Sequence, residues 1–329
     1  MRSVTPLLVV EGSYLTVVRY TTLHMSDNES KSGGYMRIGI DVGGTSTRGL
    51  VISEGDAILA EAERRTALGS AGVLQSITDV VMVLSEATPG IRPAEIGIGV
   101  PGLVDPQCGV VRHAANLGIA HLPLGQLVAE ATGARVVVDN DVNAATLSAM
   151  QRVHIDGHGA PQSFVYINIG TGLRVGFVMN GRLVHGRHGH AGELGHFPFG
   201  LTDRECGCGQ RGCIETSTSG SALSRFNPDR DRDEPLPDDF LKGLVALLRM
   251  TTLATDPSSI VLGGGVVSNC SGFLEQVVRT LAEDDDSETF LSHLQIADRV
   301  SVARTTNLGA LGAALLPRMV ADPLEVPVG

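Results

Sequence analysis

The sequence predicts an α/β protein built from two similar lobes with a central cleft, and three observations predict it. Short apolar runs alternate with stretches of helical spacing along most of the chain. Ile38–Val51 (IGIDVGGTSTRGLV) and Ile167–Val184 (INIGTGLRVGFVMNGRLV) repeat one layout of strand, glycine turn and strand. The chain has 329 residues, about twice the usual domain size. A duplicated core would present two glycine loops, an arrangement suited to holding phosphates in the cleft. The competing reading is that glycine-rich hairpins are common and two arose independently.

The elements follow in order. Arg37–Asp41 and Arg48–Ile52 read as strands around the first glycine turn, Val73–Glu86 as a helix and Glu95–Val100 as a buried strand. Leu124–Thr132 reads as a helix, Arg135–Val138 as a strand, and Asp141–Arg152 as a helix that starts directly after it. Ser163–Ile169 and Arg174–Met179 form the second hairpin. Ser259–Leu262 is a strand running into three glycines, and Leu308–Leu316 is a helix of small residues. Residues 1–35 read as a loose tail, with Ser26–Gly34 polar and disordered and with Met25 or Met36 as alternative starts. Asn227–Asp239 and the Asp284–Asp286 run read as solvated surface.

Composition excludes several function classes. Apolar residues make up 43% and charged residues 19%, the balance of a globular chain with a real core. No run approaches the ~18 apolar residues of a membrane helix, and no secretion signal is recognisable, which predicts a cytoplasmic protein. The formal charge of −11 argues against nucleic acid as a partner. Lysine occurs only at Lys31 and Lys242, so a phosphate loop of the G-x-x-x-x-G-K type is absent and lysine catalysis has almost no candidate.

Three of the five cysteines, Cys206, Cys208 and Cys213, lie within eight residues of a glycine-rich loop. Cytosolic thiols stay reduced, so a cluster of this density points to a metal ahead of a disulfide. Zinc takes four ligands in a structural site, and histidine commonly completes three cysteines. The nearest upstream candidate is His196. Four protein ligands close the site, so Zn²⁺ here shapes a loop and carries no chemistry. Cys108 and Cys270 read as ordinary buried cysteines.

The series Asp41-Val-Gly-Gly-Thr45, Gly99-Val-Pro-Gly102, Asn140-Asp141, Gly170-Thr171-Gly172, Glu193-Leu-Gly-His196 and Cys206-x-Cys208-Gly-x-x-Gly-Cys213-x-Glu215 resembles the ROK family (repressor, open reading frame, kinase) from about residue 36 to 317. The resemblance implies two ribonuclease-H-like lobes of the actin-like ATPase and sugar kinase class. It implies a small lobe at 36–140 with the C-terminal helix at 304–320, and a large lobe with the zinc loop at 141–303. It also implies ATP-dependent phosphorylation of the 6-hydroxyl of a hexose or N-acylhexosamine: glucose, N-acetylmannosamine or N-acetylglucosamine.

By that resemblance, Asp41, Gly43, Gly44 and Thr45 form the first phosphate motif, with Asp41 holding Mg²⁺ through water. The alternative for Asp41 is a turn-forming aspartate. Gly170, Thr171 and Gly172 form the second phosphate motif, and Gly263, Gly264 and Gly265 the adenosine-side loop. Asp141 is the general base; the alternative is a helix N-terminal aspartate favoured by the dipole. Gly102, Asn140, Asp141, Glu193, His196 and Glu215 bind the sugar, with one His196 nitrogen on zinc and the other toward the sugar. The partners implied are a small-molecule sugar and a nucleotide, and the assembly a homodimer.

The chain departs from the family pattern in three places. Arg174 and Val175 stand in the second phosphate loop where the family commonly has glycines, Ser46 stands where it usually has lysine, and the span from Ser219-Gly220 to Pro257 is short. Arg174 either reaches toward phosphate as a fork donor or narrows the nucleotide site. The competing function is a catalytically weak or silent sugar-binding or sensing protein. A repressor's helix-turn-helix finds no room or basic character in residues 1–35.

Overall fold

The computed structural model describes residues 4–11, 14–21, 36–89, 93–153, 161–284, 290–303 and 307–320. The first strands, β1 (Val4–Glu11) and β2 (Tyr14–Thr21), are followed by β3 (Arg37–Val42), β4 (Ser46–Ile52) and β5 (Ile58–Arg65). Helix α1 (Gly69–Ala87), β6 (Glu95–Val100), the short pair β7 (Leu103–Asp105) and β8 (Val110–His113), α2 (Leu124–Thr132), β9 (Arg135–Asn140) and α3 (Asp141–Val153) continue the chain. Next come β10 (Ser163–Ile169), β11 (Leu173–Met179), β12 (Arg182–Leu183), α4 (Gly220–Phe226) and α5 (Asp238–Thr255). Strand β13 (Ser259–Gly263), α6 (Gly265–Ser268), α7 (Phe273–Asp284), α8 (Ile296–Arg299), β14 (Val300–Val302) and α9 (Leu308–Val320) complete it. Two units result: Met1–Ser148 with Asn307–Gly329, and Ala149–Thr306.

Each unit repeats one sheet plan. In the first the strand order is β1-β2-β5-β4-β3-β6-β9, and β3, β6 and β9 run parallel. In the second it is β12-β11-β10-β13-β14, with β10, β13 and β14 parallel. An antiparallel hairpin therefore continues into parallel strands twice, as the repeated glycine-turn layout predicts. Parallel strands must be covered on both faces, which is why β6 (EIGIGV) is buried throughout.

Glycines make one covering layer fit. Gly39 and Gly97 pair across β3 and β6. A Cβ on Gly97 would land 1.7 Å from the Ala313 oxygen of α9, and one on Gly39 2.0 Å from that of Ala310. Helix α9 thus lies against bare backbone, which its small residues permit. The fully buried Arg37 fastens it by donating Nη1 to the Ala314 carbonyl at 3.1 Å and Nη2 to Asp56 Oδ1 at 2.6 Å. Ile38, Ile40, Ile96 and Ile98 pack with Val73, Ile77 and Leu84 of α1 to form the first core. In the second unit Val165, Ile167, Ile260 and Leu262 pack with Phe240, Leu244 and Leu248 of α5 and with Val277 of α7.

Two expectations change. The segment read as a loose tail contains β1 and β2, which pair with each other, and β2 pairs with β5 through Val17 opposite Glu63; its richness in β-branched residues is strand-forming. Ser26–Gly34 lies outside the described residues, as do Asp285 and Asp286. Cys108 is exposed, because it sits in the tight turn between β7 and β8, where the Gly109 N–H returns to the Asp105 carbonyl. Among the described residues no helix is long and apolar enough to cross a membrane.

Candidate functional site

In the first unit the turn between β3 and β4 is held from two sides. The Gly43 N–H donates to the Ser46 carbonyl at 2.8 Å. Thr66, just beyond β5, donates its hydroxyl to the Gly43 carbonyl at 2.8 Å and its N–H to the Thr45 carbonyl at 3.0 Å. Gly44 and Thr45 are left exposed at the tip. Asp41, at the end of β3, lies so close to α9 that a Cβ on Gly309 would meet its carboxylate at 2.4 Å. Burial, together with the like charge of Asp141, pushes the Asp41 carboxyl up to about 7, and Arg48 offsets only part of this.

Strand β9 delivers Asn140 and Asp141 to the start of α3. Asn140 is buried and caps the helix: its Oδ1 accepts the N–H groups of Val142 at 2.8 Å and Asn143 at 3.3 Å. Its Nδ2 donates to the Gly102 carbonyl at 3.1 Å, joining two of the predicted sugar residues. Gly102 has φ of 99°, and a Cβ there would overlap the His113 oxygen at 2.1 Å, so the turn demands glycine. Asp141 is half-buried and accepts the Val142 N–H at 3.0 Å. Gly99 packs beneath it, its Cβ position 3.2 Å from the Asp141 Cα.

In the second unit Gly170–Gly172 form the turn between β10 and β11. The first N–H groups of α4 hold it, Gly220 donating to the Gly170 carbonyl at 2.8 Å and Ser221 to the Thr171 carbonyl at 3.1 Å. Glu215 closes it from beside: Oε2 accepts the Leu173 N–H at 2.8 Å and sits where a Cβ on Gly172 would be, 2.6 Å away. Gly264, with φ of 98°, stacks on Ile169 at the end of β10, while Gly265 faces open space. Gly263 is buried against Tyr166, where its lack of a side chain serves packing.

The Arg174 guanidinium is engaged by the 191–193 segment. Its Nη1 donates to Glu193 Oε1 at 2.8 Å and its Nη2 to the Ala191 carbonyl at 3.1 Å. This ion pair between a residue of β11 and a predicted sugar residue is what sequence reasoning missed. The glycine-to-arginine departure was its one visible signal.

The four predicted metal ligands come together. The ligand atoms of His196, Cys206, Cys208 and Cys213 all lie within 4.8 Å of one another. His196 Nδ1 faces Cys206 Sγ at 3.4 Å, and the Cys208 and Cys213 sulfurs are 3.7 Å apart, near the ~3.8 Å edge of a tetrahedral site with zinc–sulfur bonds of about 2.3 Å. Burial pushes the Cys213 thiol up to about 12 and raises Cys206. Burial works against Cys208 as well, yet donors from Gln210 and the neighbouring thiols bring it down to about 7. The group thus carries one thiolate readily and needs a cation to carry three. The remaining nitrogen, Nε2 of His196, lies 3.9 Å from Glu193 Oε2.

Comparison with known proteins bears on both units. The glucokinase of Halalkalibacterium halodurans is 31% identical over 303 residues, 88% of either chain. The N-acetylmannosamine kinase of Vibrio cholerae is 25% identical over 268 residues, 74% of this chain and 88% of that one. A crystal structure of a ROK family glucokinase from Streptomyces griseus, in complex with glucose and AMPPNP, superposes with a TM-score of 0.68 at 25% identity, covering 86% of this chain and 99% of that one. The fold is that of the actin-like ATPase class, and the protein is a sugar kinase. The ROK family profile matches residues 37–319, and the chain belongs to the ROK family.

Proposed function

We propose that this kinase transfers the γ-phosphoryl group of ATP to the 6-hydroxyl of a hexose or N-acylhexosamine, with Asp141 as general base. Glucose, N-acetylmannosamine and N-acetylglucosamine are the candidate acceptors. The observation that carries the reading is the placement of Asp141: it opens α3 directly after the parallel strand β9, and its charge bears on Asp41 at the end of β3. In the reaction the sugar oxygen forms a bond to the γ-phosphorus as the bond from that phosphorus to the β–γ bridging oxygen breaks. Asp141 takes the hydroxyl proton, and ADP leaves. Such transfer needs mainly positioning and charge neutralisation.

The remaining residues divide the binding. The bare amides of Gly43, Gly44 and Thr45, and of Gly170, Thr171 and Gly172, approach phosphate oxygens, and Gly263, Gly264 and Gly265 lie on the adenosine side. Gly102, Glu193, His196 and Glu215 take sugar hydroxyls, and Asn140 uses the N–H that its bond to Gly102 leaves. Asp41 and Asp141 fit a divalent cation, because two carboxylates that disfavour one another's charge are relieved by one. Mg²⁺ held through water by Asp41 would neutralise the phosphates. Zn²⁺ held by His196, Cys206, Cys208 and Cys213 would fix the loop. A cytoplasmic homodimer completes the reading.

The test is ADP release from Mg-ATP with glucose, mannose, fructose, N-acetylglucosamine and N-acetylmannosamine. Turnover on one sugar that falls about 10²–10⁴-fold in Asp141→Asn supports the assignment. Turnover that survives the substitution overturns Asp141 as base. Sugar binding by calorimetry without turnover favours the sensing reading.

A further inference from the structure

We infer that Arg174 is a positioning residue for the sugar, acting through Glu193, and that the departure in the second glycine loop therefore tunes sugar binding and leaves nucleotide binding unchanged. The inference rests on the proposed sugar role of Glu193.

The local backbone explains why the side chain goes where it does. Residues alternate along β11, so Leu173 and Val175 enter the core while Arg174, opposite Asn168, takes the other face. The Ala191–Glu193 segment lies against that strand: the Val175 N–H donates to the Gly192 carbonyl at 2.9 Å, and a Cβ on Gly192 would fall 1.8 Å from the Val175 oxygen. Arg174 is 8% exposed, so its guanidinium has little water to fall back on. It straddles the segment, with Nη2 on the Ala191 carbonyl and Nη1 on Glu193 Oε1. Among the described residues its buried Nε finds no partner, and the two Nη atoms hold the side chain.

The consequence is chemical. A carboxylate with both oxygens open accepts two hydroxyls in a fork. Glu193 has one oxygen held by a guanidinium, which fixes the plane of the group and compensates its charge. Its other oxygen, Oε2, is the one nearer His196 Nε2. Glu193 therefore presents a single oriented acceptor for one hydroxyl of a neutral sugar. A guanidinium engaged in this way is not a phosphate reader, although it follows Gly172 by two residues.

The experiment compares wild type, Arg174→Lys, Arg174→Met, Glu193→Gln and the double variant Arg174→Met with Glu193→Gln. KM for the preferred sugar and for Mg-ATP is measured for each, with sugar Kd by calorimetry. The expected result is a sugar KM and Kd raised about tenfold or more in Arg174→Met, a nucleotide KM within twofold of wild type, and partial rescue by Lys. In the double variant the two effects do not add, because both remove one interaction. The glutamine also removes the orphaned charge, so this variant keeps the test valid if Arg174→Met alone fails to fold. A raised nucleotide KM with an unchanged sugar KM, or fully additive effects, overturns the inference. If wild type turns over no sugar but binds one, the kinase reading fails and the Arg174 comparison is decided on Kd. If wild type binds no sugar, both fail.

Discussion

The two glycine turns have the same place in the same sheet plan and are stabilised by opposite means. The Gly43–Gly44 turn is pinned by neutral groups, chiefly the Thr66 hydroxyl and N–H, and the carboxylate beside it, Asp41, is left poorly compensated. The Gly170–Gly172 turn is held by the Gly220 and Ser221 amides and, at its side, by a carboxylate, Glu215, and another acidic residue of that unit, Glu193, is matched by a guanidinium. Beside the first turn lies negative charge that calls for a cation from outside; beside the second, the chain's own donors meet the carboxylates. A repeated backbone plan thus fixes where glycines fall, while the neighbouring elements decide the electrostatics.

Four substitutions sharpen or break that contrast. The largest effect is expected at the metal loop, because it borders the second turn: Cys206 Sγ lies 3.8 Å from Glu215 Oε1. Cys208→Ser should lose bound zinc by elemental analysis, lower Tm by on the order of 10 °C and weaken sugar binding. An unchanged sugar KM in a zinc-free variant would separate the loop from the site.

Next in size, Glu215→Ala should cost about 2 kcal/mol in denaturant melts, since it removes a charged acceptor from a buried N–H, whereas Thr66→Val should cost about 1 kcal/mol. Equal costs would mean that the two turns are held alike after all.

The smallest effect is the pH slope at Asp41. Its carboxyl binds a proton more tightly in the native state, at about 7, than at the ordinary 3.8 of an unfolded chain. Native stability from this group is therefore fullest at low pH and falls as pH rises from about 4 through 7. Measured without divalent cations, the stability of wild type relative to Asp41→Asn should decline over that window and level off above it. A difference that is flat with pH would show that Asp41 is solvated like a surface carboxylate.

Much of the molecule was legible from the sequence because its signals are local. Strands β3, β6, β10 and β13 announce themselves as short apolar runs, and the glycine turns by their composition. The candidate metal site shows by density, three cysteines and a histidine within eighteen residues. The α/β class and the family follow from those patterns, since period and ligand spacing survive whatever surrounds them. What tertiary structure alone decided is how charges and edges are partnered. Arg174 meets Glu193 across nineteen residues because β11 exposes that face to the loop that returns along it. Thr66 reaches the first turn because β5 ends beside it, and β2 joins the sheet because β5 offers it an edge. None of these partners is fixed by its own neighbours in sequence: register and close backbone approach set them, and both are properties of the assembled sheet.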